Sequence, residues 1–189
     1  MSFPTRIGFD EAHRILAEVA ASRRLPVERI ALAKAHSRVL ASDLVATIDQ
    51  PGFDNSAMDG FALRHADLAE GGDGLRLIGE QFAGRSRDLT IRSGECVRIT
   101  TGAPLPTGAD TILIKENARV EDDRVRALSL PTLGQHVRRA GEDMRVGDVL
   151  LSAGQTLTPS RIALAAGQGM DRLDVVRRPT VAVFTTGDE

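Results

Sequence analysis

Pro51-Gly52-Phe53-Asp54-Asn55-Ser56-Ala57-Met58-Asp59-Gly60 packs two carboxylates, an amide and a hydroxyl into the six residues from Asp54 to Asp59, with glycine on both sides. No helical or alternating apolar period runs through it, so burial of one face does not explain it. Asp and Asn in such a place hydrogen-bond their own backbone, and Pro51, Gly52 and Gly60 punctuate a turn. A polar turn this dense is either an elaborate corner or a site for a cation and its ligand, since loops carry function disproportionately. It also divides the chain, because the sequence texture differs on its two sides.

Upstream, Ala12, Ile15, Leu16 and Val19 recur at helical spacing, with Asp10 and Glu11 in the first turn and Gly8 as N-cap. From Val27 to Ile48 the apolar residues predict a short strand, a short helix around Ala35 to Leu40, and an extended exit. Downstream, Phe61 to Leu63, Leu75 to Ile78, Cys96 to Thr100, Thr111 to Lys115 and Arg124 to Leu128 are short runs separated by Gly, Pro or Asp. That spacing predicts antiparallel strands, with 83–95 and 103–108 as loops.

Near His136 the texture changes again. Arg138-Arg139-Ala140-Gly141-Glu142-Asp143 forms a charged corner, and Val149 to Leu151 reads as a strand. Thr158-Pro159 is an N-cap with proline at the first helical position, leading into a helix stopped by Gly167. The predicted fold class is α+β and β-rich. Residues 1–49 and 138–178 make a discontinuous N-terminal domain, and 50–137 an inserted antiparallel β domain. Thr180 to Thr186 is apolar and β-branched, as in a strand covered on both faces. It predicts that 179–189 is the first strand of a further, truncated α/β domain. Ligands of such sheets lie at strand carboxyl ends, where Asp188 and Glu189 fall.

Composition narrows the chemistry. With 42% hydrophobic residues in 189, a real core can form. The charges nearly cancel, 24 basic against 26 acidic, which argues against a duplex-binding protein. No Trp or Tyr and only 6 Phe leave single-stranded nucleic acid without stacking platforms. Cys96 is the only cysteine, so neither an internal disulfide nor a thiolate cluster is available. No apolar run reaches the ~20 residues of a membrane span and Met1 to Thr5 open no signal peptide, so a soluble, reducing compartment is expected.

Three clusters could do chemistry. Asp54 and Asp59 offer oxygens to a hard cation such as Mg²⁺, which takes one or two carboxylates beside water and phosphate. A turn-capping role is the plainer reading, more so for Asp54 than for Asp59. Thr100-Thr101-Gly102-Ala103-Pro104 can form a nest for an oxyanion, although an ordinary strand exit explains it better. Arg138 and Arg139 can grip phosphate bidentately, against a slightly favoured reading as a solvated corner with Glu142 and Asp143. His13, His36, His65 and His136 lack ligand spacing. Together the clusters fit a phosphate or oxyanion handled with a divalent metal.

The polar turn, followed by Ile99-Thr100-Thr101-Gly102-Ala103-Pro104, Arg139-Ala140-Gly141-Glu142-Asp143 and Val183-Phe184-Thr185-Thr186-Gly187-Asp188-Glu189, closely resembles the molybdopterin molybdenumtransferases, the family that includes the E domain of gephyrin. The resemblance covers essentially the whole chain, in the family's motif order. It implies an elongated, cytoplasmic homodimer of four-domain subunits, of which this chain holds the first two and the opening strand of the molybdopterin-binding third. It implies an enzyme that inserts molybdate into adenylylated molybdopterin, releasing AMP with Mg²⁺ assistance, at a site shared between subunits. Carried over residue by residue, Asp59, Thr101, Asp143 and Glu189 are expected to be catalytic. Asp59, Thr101, Gly102 and Arg138 would bind substrate, and Asp59 and Glu189 would hold the metal. The rival expectation is a non-catalytic dimeric scaffold of the gephyrin E-domain type.

Overall fold

The computed structural model describes residues 7–68 and 73–185. The chain divides into two compact units, Met1–Val45 with Val149–Glu189, and Ala46–Asp148. The second unit is therefore longer than the expected insert of 50–137. The reason lies in its backbone bonds: Ala46 N–H donates to Asp148 O, and Gln50 and Met144 bridge in antiparallel fashion. The charged corner thus closes onto the polar turn and belongs with it.

The first unit begins with α1 (Phe9–Ser22). Its predicted N-cap is Gly8, but its apolar stripe is not core: Ala12 and Ile15 are half-buried while Phe9, Leu16 and Val19 are exposed. β1 (Val27–Ala31) is followed by a single 3₁₀ turn and by β2 (Leu44–Val45). The helix expected around 35–40 does not form, because Ser37 sits at φ 60, a left-handed conformation that interrupts helical bonding.

The second unit supplies the next strands. These are β3 (Asn55–Ser56), β4 (Gly60–Leu63), β5 (Leu75–Gln81), β6 (Glu95–Ile99), β7 (Thr111–Ile114), β8 (Ala118–Glu121), β9 (Arg124–Ala127) and β10 (Val137–Arg138). The chain then returns to the first unit as β11 (Val149–Leu151), α2 (Pro159–Gly167) and β12 (Arg172–Val176). α2 starts as predicted, with Thr158 as N-cap and proline in the first turn. Gly167 is its last residue and Gln168 its C-cap, and Gly169 at φ 74 takes the left-handed position expected of Gly167.

Within the first unit β1 pairs antiparallel with β12, and β2 with β11. Ala35, Leu40 and Leu44 from before the insertion pack with Leu151, Leu157 and Val175 from after it in one core. The strand expected over 180–186 is absent from its described part. Residues 180–185 pair with nothing, and Val181, Val183 and Phe184 lie exposed. An apolar run forms a strand only where neighbours accept its ladder, and the described residues offer none. Thr186 to Glu189 lie outside the described residues.

In the second unit six strands form one sheet in the order β7-β4-β6-β5-β9-β8. It is mixed rather than antiparallel, since β5 and β6 run parallel. Thirteen residues separate Gln81 from Glu95, about the dozen that a parallel connection requires. β8 was not foreseen; it is the edge partner of β9 across a turn with Asp122 at φ 55. Alternation divides the sheet into two faces. One carries Phe61, Leu63, Cys96 and Val125, the other Ala62, Val97, Ile99 and Ile112. Burial pushes the Cys96 thiol up to about 12, so it behaves as a small core residue. Among the described residues no helix is long and apolar enough to cross a membrane.

Candidate functional site

The polar turn is the middle of a three-way junction. β3 pairs antiparallel with β10, Ser56 opposite Val137 and Asn55 opposite Arg138. On its other edge Ser56 N–H donates to Ala103 O at 3.1 Å, and Gly102 N–H donates to Ser56 O at 2.8 Å. Ala57 N–H reaches His136 O at 2.9 Å. Three of the four sequence motifs are therefore joined by backbone alone. Ser56 is fully buried and donates to Met58 O at 2.6 Å, and Asn55 is 7% exposed with its amide on Phe53 O. These two side chains shape the turn.

The carboxylates at its ends diverge. Asp54 Oδ2 accepts from the Arg139 guanidinium at 2.6 Å, and Oδ1 accepts the Ala140 N–H at 2.8 Å. The Ala140 N–H first and Arg139 second hold its carboxyl below the usual carboxylate range. Asp54 is a fastener, but it ties the turn to the distant charged corner where the capping reading expected a bond within the turn.

Asp59 Oδ1 accepts both the N–H and the hydroxyl of Thr101, each at 2.9 Å. Its Oδ2 lies 3.5 Å from Lys115 Nζ, and Lys115 N–H donates to Asp59 O. The Thr101 N–H is the main cause holding Asp59 below the usual range, followed by the Thr101 hydroxyl and Lys115. Asp59 is nonetheless open to solvent, its side chain 47% exposed, and it lines a hollow of about 430 Å³.

The oxyanion nest, the less favoured reading of Thr100 to Pro104, is accordingly occupied by the protein itself. The Thr101 N–H is spent on Asp59 and the Gly102 N–H on Ser56, so the anion this turn holds is the Asp59 carboxylate. Gly102 serves by its conformation, φ 78 in open space, where L side chains are disfavoured.

Arg138 and Asp143 are likewise committed to each other. Arg138 donates to Glu142 Oε1 at 2.9 Å and to Asp143 Oδ2 at 2.6 Å. The Glu142 bond, then the Asp143 charge, raise the Arg138 pKa further. Among the described residues no hydrogen bond or ion pair links Asp143 or Arg138 to Asp59. Glu189 lies outside the described residues.

The described residues do not fit a Mg²⁺ ion at Asp59. One carboxylate oxygen carries two hydrogen bonds and the other faces an ammonium group, whose charge opposes a second cation. No group of three or more His, Cys, Asp or Glu among the described residues could hold a metal. Sequence reasoning missed Lys115, Arg98 and Glu80, which line the same hollow. The available signal was a charge set into an apolar strand, as at Arg98 between Val97 and Ile99.

Known proteins are similar to this chain in sequence and fold. A family profile described as the MoeA N-terminal region, domains I and II, matches residues 7–169. The chain belongs to the MoeA N-terminal region family. A molybdopterin molybdenumtransferase of Synechococcus elongatus is 42% identical over 181 residues, 93% of this chain and 44% of that protein. Molybdopterin molybdenumtransferase 2 of Mycobacterium tuberculosis is 39% identical over 183 residues, 95% of this chain and 45% of its own length. The crystal structure of the molybdopterin biosynthesis moeA protein from Pyrococcus horikoshii OT3 superposes with a TM-score of 0.80 at 28% identity, covering 93% of this chain and 47% of that one. The chain thus spans less than half the length of the MoeA relatives it matches.

Proposed function

We propose that this chain provides the first two domains of a molybdopterin molybdenumtransferase, a cytoplasmic homodimer that inserts molybdate into adenylylated molybdopterin and releases AMP. The observation that carries this reading is Asp59, ionised, fixed by Thr101 and half-exposed at the edge of a hollow rather than sealed in a core. The family match over 7–169 and relatives named molybdopterin molybdenumtransferase support this reading.

In this reading Asp59 holds Thr101 and Lys115 in fixed positions, and the Lys115 ammonium is the cation beside it that meets an anionic substrate. Arg138, Glu142 and Asp143 keep the charged corner in shape, so that Arg139 stays on Asp54. Asp143 and Arg138 therefore act through the corner and not on the reacting atoms. Glu189 remains a proposed partner of the site from the third domain.

The test is a chimera in which residues 7–169 replace the matching region of the Synechococcus elongatus enzyme. Given molybdate and adenylylated molybdopterin, it should release AMP. A folded chimera that binds its dimer partner yet releases none would favour the scaffold reading instead.

A further inference from the structure

Arginines stand directly opposite one another on one face of the six-stranded sheet. β5 and β9 pair Arg76 with Arg124, and β8 and β9 pair Arg119 with Arg126. Leu75, Val125 and Ala118 alternate with them along the strands and join the Phe61 cluster. The arginines therefore take the other face, away from the hollow that Leu77 and Val120 line. All four are exposed. Like charges directly opposite destabilise a sheet. Here two such pairs occupy three adjacent strands, within about 10 Å across the strands and about 7 Å along them.

The array is only partly neutralised. Arg76 donates to Glu95 at 2.5 Å, and Arg119 lies 4.0 Å from Glu121, at the limit of an ion pair. Arg124 spends one N–H on the Gly74 carbonyl at 3.1 Å. Among the described residues neither Arg124 nor Arg126 makes an ion pair, although Glu121 stands opposite Arg124. Room is left for the Arg126 stem by Gly74, at φ 79, where a Cβ would lie 2.8 Å from Arg126 Cγ. A sequence that breaks a local rule at a cost to stability points to function.

The order of charges selects the partner. From β6 to β8 one row reads Glu95, Arg76, Arg124, Glu121, and the row beside it holds Arg126 and Arg119. Asp122 and Asp123 close the hairpin beyond them. A nucleic-acid strand or an anionic lipid surface presents unbroken negative charge, which these flanking carboxylates repel, and neither row offers an aromatic ring to a base. An extended polypeptide instead spaces alternate side chains by about 7 Å, the separation of Arg124 from Arg126.

We propose that this face docks an extended acidic segment of a partner protein, its alternate carboxylates seated among Arg124, Arg126 and Arg119. Guanidinium groups match carboxylates in geometry and charge. The surface lies across the sheet from the hollow and is independent of the reaction proposed above.

Titration of the 189-residue chain, followed by amide NMR shifts, tests this. The probes are a peptide of about twelve residues alternating Glu and Thr, a peptide of the same composition with its glutamates in one block, and an oligothymidylate of equal length. The alternating peptide should bind at least about fivefold more tightly than either of the others. Its shifts should centre on Arg119, Arg124 and Arg126, and its affinity should fall as salt rises. Arg126→Glu should weaken it at least about tenfold. The same change should raise the melting midpoint by about 1–2 °C, because it replaces a like pair with Arg119 by an opposite one. Arg119→Gln should weaken the peptide several-fold and also raise the midpoint. Absence of binding overturns the proposal, as does equal binding of the two peptides or tighter binding of oligothymidylate. So does undiminished binding by Arg126→Glu, or a lowered midpoint in that variant, which would make Arg126 a structural residue.

Discussion

Asp54 and Asp59 sit five residues apart in one turn, yet they do different things. Both are held ionised by backbone N–H groups, and both have a basic neighbour. Asp54 is enclosed by its partners: Arg139 and Ala140, more than eighty residues along the chain, close on its two oxygens. Asp59 is propped from one side by Thr101 and left open on the other, toward the hollow. A depressed pKa therefore does not separate a fastener from a site, because the same hydrogen bonds produce it in both. What separates them is that Asp59 lines the hollow, while both oxygens of Asp54 are taken by Arg139 and Ala140.

The severest way to break this comparison is to remove the frame that both ends share. A Cβ at Gly60 would lie 2.1 Å from Leu113 O, backbone that cannot move aside without parting β4 from β7. Gly60→Ala should cost more than about 3 kcal/mol in a denaturant titration. An unchanged midpoint would mean that the close approach of β4 to β7 is wrong.

Next in size is Asp59→Asn in the chimera. Losing one preorganised charge should lower AMP release by at least ~100-fold, in a variant that still unfolds cooperatively although its contacts with Thr101 and Lys115 are weakened. Full activity in that variant would remove Asp59 from the reaction.

Asp54→Asn should behave in the opposite way. It gives up a charge-assisted bond to Arg139, which after allowance for solvent screening costs about 1 kcal/mol. AMP release should stay within about twofold of wild type, an effect that steady-state assays resolve. A large activity loss with no change in stability would exchange the two roles.

The smallest expected effect is in the pH profile. Asp54, Asp59 and Glu142 all have folded pKa values below their ordinary ones. Their contribution is present above the ordinary carboxylate range and is lost as pH falls through the lowered folded values, below roughly pH 4. Stability should therefore decline on the acid side, and Asp54→Asn should make that decline shallower. An acid limb of the same steepness in both proteins would show that Asp54 does not contribute to it.

Much of the fold was legible where a local rule has one outcome. Thr158-Pro159 started a helix, and the strands around Phe61, Cys96, Thr111 and Val149 formed at the short apolar runs. The failures were places where distant partners decide. Ser37 broke a helix through its left-handed conformation, and α1 leaves Phe9, Leu16 and Val19 of its apolar stripe exposed. The run from Thr180 found no ladder among the described residues. β5 and β6 became parallel because their connection was long enough to cross over.

The candidate site divides along the same line. That the polar turn is chemically loaded, and which family it resembles, could be read from the order of residues alone, because motif identity is a property of the string. That Thr101 spends its N–H on Asp59, that Arg139 crosses over to Asp54, and that Lys115, Arg98 and Glu80 share a hollow with Asp59 followed only from folding. Hydrogen-bond partners forty to ninety residues apart are chosen by sheet register and by which face a side chain takes, and neither is written in any short stretch of sequence.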